Sequence, residues 1–308
     1  MRTLPPTQNR SLVTYEQACS GFQTALAAEQ ADTEVDSRCY SQLFTHGDAT
    51  ERSIAFFHGF TNCPQQFAAL GQRFFEAGYN VYIPRLPGHG MKDKMTTALA
   101  RVTGEDLTAA AAQAAEVAGG LGTRAHVAGI SLGGVLAAWV GDNISIAAAT
   151  AIAPFIAIAG LPAWANRGLA TLLLTLPNFY MWWDPRTGAA NPAVPPYAYA
   201  RYPTRTLAAQ LRLGAQLLSA AKTRAPRATV NGLFVNAHDP AVNNRVAATL
   251  YDRWQQRGAR IVRETFDAGP LPHDIIDNSS GTLPVDRIYP AVLEAVDQAD
   301  ELAASAPS

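Results

Sequence analysis

Ala125-His126-Val127-Ala128-Gly129-Ile130-Ser131-Leu132-Gly133-Gly134 is the stretch that decides how the chain folds. Its first six residues form a β-prone run, and from Leu132 to Val140 the apolar spacing predicts a helix. Between the two sits a serine with a glycine two residues away on either side. A sharp strand-to-helix turn lifts a serine hydroxyl clear of the backbone only where its flanking positions are small, and Gly129 and Gly133 supply that room. Ser131 is therefore the candidate nucleophile, at the carboxyl end of a central strand.

Outward from this turn the same alternation repeats. Strands are expected at 53–58, 79–83, 125–130, 147–153, 232–236 and 260–266, with helices at 64–77, 104–118, 132–140, 243–257 and 284–299 between them. That order predicts an α/β class with a mostly parallel sheet flanked by helices. In such sheets ligands bind beyond the carboxyl ends of the strands, so the loops there are the place to look for chemistry.

Two stretches break the rhythm. Residues 1–50 precede the first clear strand and read as an extension packed on the core, with a helix from Tyr15 to Glu29 that carries Phe22 and Leu26 on one face. Residues 155–228 are rich in aromatic residues and proline and read as an inserted cap, leaving 51–154 and 229–308 as the core. Trp164, Trp182 and Trp183 in that insertion either line an acyl pocket or pack it onto the core.

A serine at its free pKa is a poor nucleophile, so the chemistry needs a histidine base and a carboxylate to orient it. Of six histidines, His273 follows the last strand in the loop Leu271-Pro272-His273-Asp274, above the strand ends. Asp239, in Asn236-Ala237-His238-Asp239-Pro240, follows the preceding strand; Asp267 is its rival, and Asp274 is too close to His273 to bond its ring. The charge that develops on an attacked carbonyl needs preorganised donors. The N–H of Leu132, at the start of the elbow helix, is one. The N–H of Phe60, in the turn His58-Gly59-Phe60-Thr61, is the other.

These motifs, together with Pro84-Arg85-Leu86-Pro87-Gly88-His89-Gly90 and Asp239-Pro240-Ala241-Val242, resemble the α/β-hydrolase superfamily over about residues 53–300, and within it the bacterial carboxylesterase and monoacylglycerol-lipase-like group. The resemblance implies hydrolysis of short-to-medium carboxylic esters through an acyl-enzyme on Ser131, His273 and Asp239, without metal or organic cofactor. Relatives of this fold that open epoxides or remove halides carry aspartate where Ser131 stands, which disfavours both. Thioesterase, amidase or carbon–carbon bond hydrolysis would use the same triad, and a non-catalytic binding protein is the reading from another class.

Composition bounds the partners. With 48% hydrophobic and 16% charged residues and a net charge of −1, nothing suggests disorder or a nucleic-acid surface, so the expected partner is a small-molecule ester. The most apolar run, Leu169 to Leu176, is far short of the ~20 residues that span a bilayer. Met1 to Arg10 is polar and lacks the apolar core of a secretory signal, which makes the cytoplasm the expected location. Cys19, Cys39 and Cys63 are too few for a disulfide framework and read as free thiols; a Cys19–Cys39 or Cys39–Cys63 bridge would require an oxidising compartment.

Overall fold

The computed structural model describes residues 13–306, so the polar start from Met1 to Arg10 lies outside the described residues. In chain order the elements are α1 (Tyr15–Ala31), β1 (Gln42–Phe44), β2 (Thr50–Phe57), α2 (Ala68–Glu76), β3 (Tyr79–Ile83), α3 (Gly104–Leu121), β4 (Gly122–Ile130), α4 (Leu132–Asn143), β5 (Ala148–Ile152), α5 (Ala163–Thr175), β6 (Tyr180–Trp182), β7 (Arg201–Pro203), α6 (Thr204–Ala220), β8 (Val230–Asn236), α7 (Asn244–Gln256), β9 (Arg260–Phe266) and α8 (Val285–Ala304). Local chemistry fixes several boundaries. Thr14 with Gln17 and Thr103 with Asp106 form capping boxes that start α1 and α3, and the Asn243 side chain accepts from the first turn of α7.

The main sheet has the order β1-β3-β2-β4-β5-β8-β9, parallel except for β1, which runs antiparallel to β3 at the edge. Phe57 pairs with Gly129, Ile130 with Ile152, Ile152 with Phe234, and Asn236 with Phe266. The loops after β2, β4, β8 and β9 therefore emerge along one rim. Strands β3 and β5 are buried along their whole length, as strands covered by helices on both faces must be. Helix α4, buried from Leu132 through Ala138, is apolar all round and lies in the middle of the molecule.

Residues 42–44 fall in the segment expected as an extension, yet they form the edge strand β1. The correction has a simple cause: three half-buried residues are too short a run to show a period. Of the described residues in that segment, Ala18 and Phe22 of α1 are buried against the core.

β5 and β8 are neighbours in the sheet, and the chain between them forms α5, the antiparallel hairpin β6–β7 and α6. At the opposite end of the sheet, His126 and Arg124 of β4 both bond Asp300 of α8. Burial alone would raise the Asp300 carboxyl, but the His126 and Arg124 contacts hold it well below the usual carboxylate range. No helix among the described residues is long and apolar enough to cross a membrane.

Candidate active site

Ser131 sits at φ 59°, ψ −113°, a conformation that side-chain-bearing residues rarely adopt. The backbone around it leaves no alternative. Its N–H donates to the Ile152 carbonyl of β5 at 3.1 Å, and its own carbonyl accepts from Val135 and Phe155. A Cβ on Gly133 would collide with the Phe57 carbonyl, and one on Gly129 with the Gly133 carbonyl, so both glycines are required by close packing of α4 on the strand ends.

Asp239 and His273 are brought together: His273 Nδ1 lies 2.8 Å from Asp239 Oδ2. The Asp239 side chain is fully buried, and its Oδ1 accepts from the Ala241 and Val242 N–H groups at 2.8 and 3.1 Å. It is thus a turn cap and a histidine partner at once. With a carboxylate at Nδ1 the imidazole proton belongs there, which leaves the Nε2 lone pair free. Nε2 is buried and has no hydrogen-bond partner among the described residues, so no hydrogen bond joins it to Ser131.

The loop carrying His273 is anchored on both sides of β4. Asn236 at the end of β8 bonds the Pro272 carbonyl, while Asp274 Oδ2 accepts from Gln66 Nε2 at 2.6 Å and Asn62 Nδ2 at 3.3 Å, both in the loop after β2. Because β4 lies between β2 and β8 in the sheet, this span carries the His273 loop across the Ser131 turn. The rival carboxylate Asp267 instead pairs with His238 at the surface, 3.2 Å apart. Burial pushes the Asp274 carboxyl up.

The turn after β2 is held from every side. His58 is completely buried; its Nδ1 donates to the Gly59 carbonyl at 3.0 Å and its Nε2 accepts from Leu86 N–H at 3.1 Å. The Gly59 carbonyl also receives the Asn62 N–H. In a trans peptide the C=O and N–H point opposite ways, so pinning this carbonyl aims the Phe60 N–H outward. Neither the Phe60 nor the Leu132 N–H has a backbone partner among the described residues. Gln66 Oε1 accepts the Gly59 N–H at 2.6 Å. Sequence reasoning passed over Gln66, since a lone glutamine in a helical turn carries no motif. Thr61, at φ 66°, is fixed by the insertion: Trp183 Nε1 donates to its Oγ1 at 3.0 Å and Tyr199 N–H to its carbonyl at 2.9 Å.

A model of the alpha/beta hydrolase family matches residues 44–279. The chain belongs to the alpha/beta hydrolase family. Solved structures repeat the fold of this hydrolase at low identity. One from a study of the metagenome-derived lipolytic enzymes LipS and LipT superimposes with a TM-score of 0.63 at 19% identity, covering 86% of this chain and all of its own (100%). The monoacylglycerol lipase of Paleococcus ferrophilus gives 0.61 at 18%, over 87% and 99%. A soluble variant of the monoglyceride lipase of Saccharomyces cerevisiae gives 0.62 at 13%, over 87% and 92%. A search of the curated proteins finds no match.

Two expectations about side chains need correcting in this hydrolase. Cys39 and Cys63 form a disulfide with Cα atoms 5.3 Å apart, and only Cys19 is free. The short helical turns at Ser37–Cys39 and Pro64–Phe67 meet where β1 folds back, so residues 24 apart in sequence become neighbours. The bridge ends one residue beyond Asn62 and packs against Tyr197 of the insertion. Trp164, a candidate pocket residue, is 78% exposed on the outer face of α5. Trp182 is half-buried in the hairpin. Trp183 packs on Phe60 and Tyr202, with ring centroids 6.2 and 4.3 Å away. A cavity of about 690 Å³ lies between Gln66, Arg73, Tyr197, Asp277 and Tyr289, and Ser131 is not among the residues that line it.

Proposed function

We propose that this protein hydrolyses carboxylic esters with Ser131 as nucleophile, His273 as general base and Asp239 as the carboxylate that orients it. The observation that carries the reading is the 2.8 Å contact between Asp239 Oδ2 and His273 Nδ1, with Nε2 left unpartnered on a loop that crosses a serine held at positive φ. In the proposed reaction His273 Nε2 takes the Ser131 proton as Oγ attacks the carbonyl, Asp239 stabilises the imidazolium, and the Phe60 and Leu132 N–H groups receive the oxyanion. The same histidine then protonates the leaving alcohol, and water repeats the cycle on the acyl-enzyme.

Short-to-medium acyl chains are proposed as the preferred substrates, and residues 155–228 as the cap over them. Support for this comes from the 9% exposure of Ser131 and from the packing of Trp183 and Tyr202 of the insertion on Phe60, the proposed oxyanion residue. A hydrophobic pocket distinguishes neighbouring chain lengths by only about 1–3 kcal/mol per methylene, so the preference is graded. A p-nitrophenyl ester series from acetate to palmitate tests both parts. Turnover that is abolished in Ser131→Ala and falls off for long chains is expected; equal turnover by Ser131→Ala would refute the nucleophile.

A further inference from the structure

We propose that the outer face of the insertion docks on an anionic lipid surface. Helix α5 turns Asn166, Ala170 and Leu173 inward, where they are buried. On its other side, four residues apart, stand Trp164, Gly168, Leu172 and Leu176, with Trp164 at 78% and Leu172 at 54% exposure. Phe179, Met181 and Trp183, which follow along the hairpin, are each more than 40% exposed. Scattered apolar residues on a surface need no explanation, but an exposed apolar stripe along one helix, followed at once in the chain by three more large exposed apolar side chains, marks a contact surface.

Charge selects the occupant. Residues 155–228 contain eight of the chain's 24 basic residues and one of its 25 acidic ones, a formal +7 against −8 for the remainder. No block of charge is visible in the sequence because the basic residues are dispersed; Arg167, Arg186, Arg201 and Arg205 belong to α5, the hairpin and the start of α6, whereas Lys222, Arg224 and Arg227 follow α6, where Arg224 meets Asp142. Arg167 lies exposed on α5 itself. Arg205 adjoins Phe179, its N–H bonded to Asn178 Oδ1 at 3.0 Å, and the Arg201 guanidinium stacks 4.3 Å over the Tyr180 ring. Among the described residues only Arg186 and Arg224 of the eight have a carboxylate partner.

A second copy of this chain would bring the same cationic face against this one, and like charges oppose that pairing. A nucleic acid would neutralise the arginines but leave the apolar stripe in water. Anionic headgroups satisfy both features: the arginines meet the headgroups while Trp164, Leu172 and Phe179 enter the boundary with the acyl chains. Trp183 links this face to Thr61, so the docked side is the one next to the candidate site.

The test uses the full chain carrying Ser131→Ala, so that lipid is not consumed and the outcome is independent of the proposed reaction. Sedimentation with phosphatidylglycerol/phosphatidylcholine vesicles should capture the protein, with pure phosphatidylcholine binding at least tenfold weaker and added salt releasing it. Arg167→Gln and Arg205→Gln should each weaken capture about fivefold. Trp164→Ser combined with Leu172→Ser should abolish it while leaving the circular-dichroism melt unchanged, because both side chains are exposed. Absence of binding to anionic vesicles, equal binding to both compositions, or undiminished binding by the Trp164→Ser/Leu172→Ser protein would overturn the proposal. So would a wild-type dimer that Trp164→Ser converts to monomer, which would assign the face to a second copy.

Discussion

Gln66 joins the turn after β2 to the Asp274 carboxylate beside His273: its Nε2 lies 2.6 Å from Asp274 Oδ2 while its Oε1 takes the Gly59 N–H at 2.6 Å. One buried amide thereby sets the spacing between the proposed oxyanion donor and the proposed base. Neither end is free to shift alone.

Gln66→Leu is predicted to lower kcat by about 10- to 100-fold with KM little changed, since misplacement of the order of 1 Å has that cost. Gln66→Glu would set a second carboxylate against Asp274, and its deficit relative to wild type should shrink as pH falls and one proton is shared. Steady-state kinetics across pH check both; a change confined to KM would remove Gln66 from this role.

Ser131→Ala and His273→Ala should each reduce ester turnover by several orders of magnitude, and the double variant should be little worse than either single one. Asp239→Asn should cost less than either, although its amide, with the oxygen held by the Ala241 and Val242 N–H groups, turns an NH2 toward Nδ1 and shifts the ring proton to Nε2. Rate constants for the three single variants and the double variant decide it, and multiplicative losses would show that the residues do not act together.

The Cys39–Cys63 bridge closes a loop of sequence separation 24, which loop-closure entropy values at about 3 kcal/mol. Replacing both cysteines with alanine should lower the unfolding free energy by about that much in denaturant titration. Because the bridge adjoins the Asn62 turn, kcat should fall as well. The denatured, unreduced protein should titrate with one thiol per chain, from Cys19. Three titrating thiols would refute the bridge. A disulfide in this position fits an oxidising compartment better than the cytoplasm expected from the polar N-terminus.

Burial holds His89 at about 4 and His58 well below the ordinary imidazole range. Unfolded imidazoles titrate near about 6.5. Between these values the unfolded chain binds protons that the native one refuses, so stability is complete above pH ~6.5 and declines as pH drops. His89 alone accounts for a loss of about 3 kcal/mol by pH ~4. Denaturant midpoints at several pH values for wild type and His89→Gln check this; the variant should show a shallower acid limb, and parallel limbs would exclude His89 as a source.

Features written in neighbouring residues were legible in the sequence. The Ser131 turn was, because a strand, a small-residue turn and a helix start leave a local signature. The pairing of Asp239 with His273 was too, because each follows one of two consecutive strands. What escaped depends on chain segments meeting from far apart. Cys39 meets Cys63 only because β1 folds back along β3, and three residues are too few to announce that strand. The β6–β7 hairpin was hidden by its proline- and aromatic-rich connection. Gln66 does its work through both ends of an amide, which residue type alone does not disclose. Trp164 was misjudged because its size suggests burial, whereas the inward positions of α5 are filled by Asn166, Ala170 and Leu173.

The insertion leaves the sheet after β5 and returns at β8, two adjacent strands, so its ends are neighbours and a short linker could in principle replace it. Yet Trp183 and Tyr199 within it supply hydrogen bonds that hold Thr61 at positive φ. A lineage that exchanged this segment to acquire a new substrate would also release the turn proposed to carry an oxyanion donor. On the proposed mechanism selectivity and rate would be inherited as one trait, and a chimera carrying a foreign insertion should regain activity only when it restores donors to Thr61.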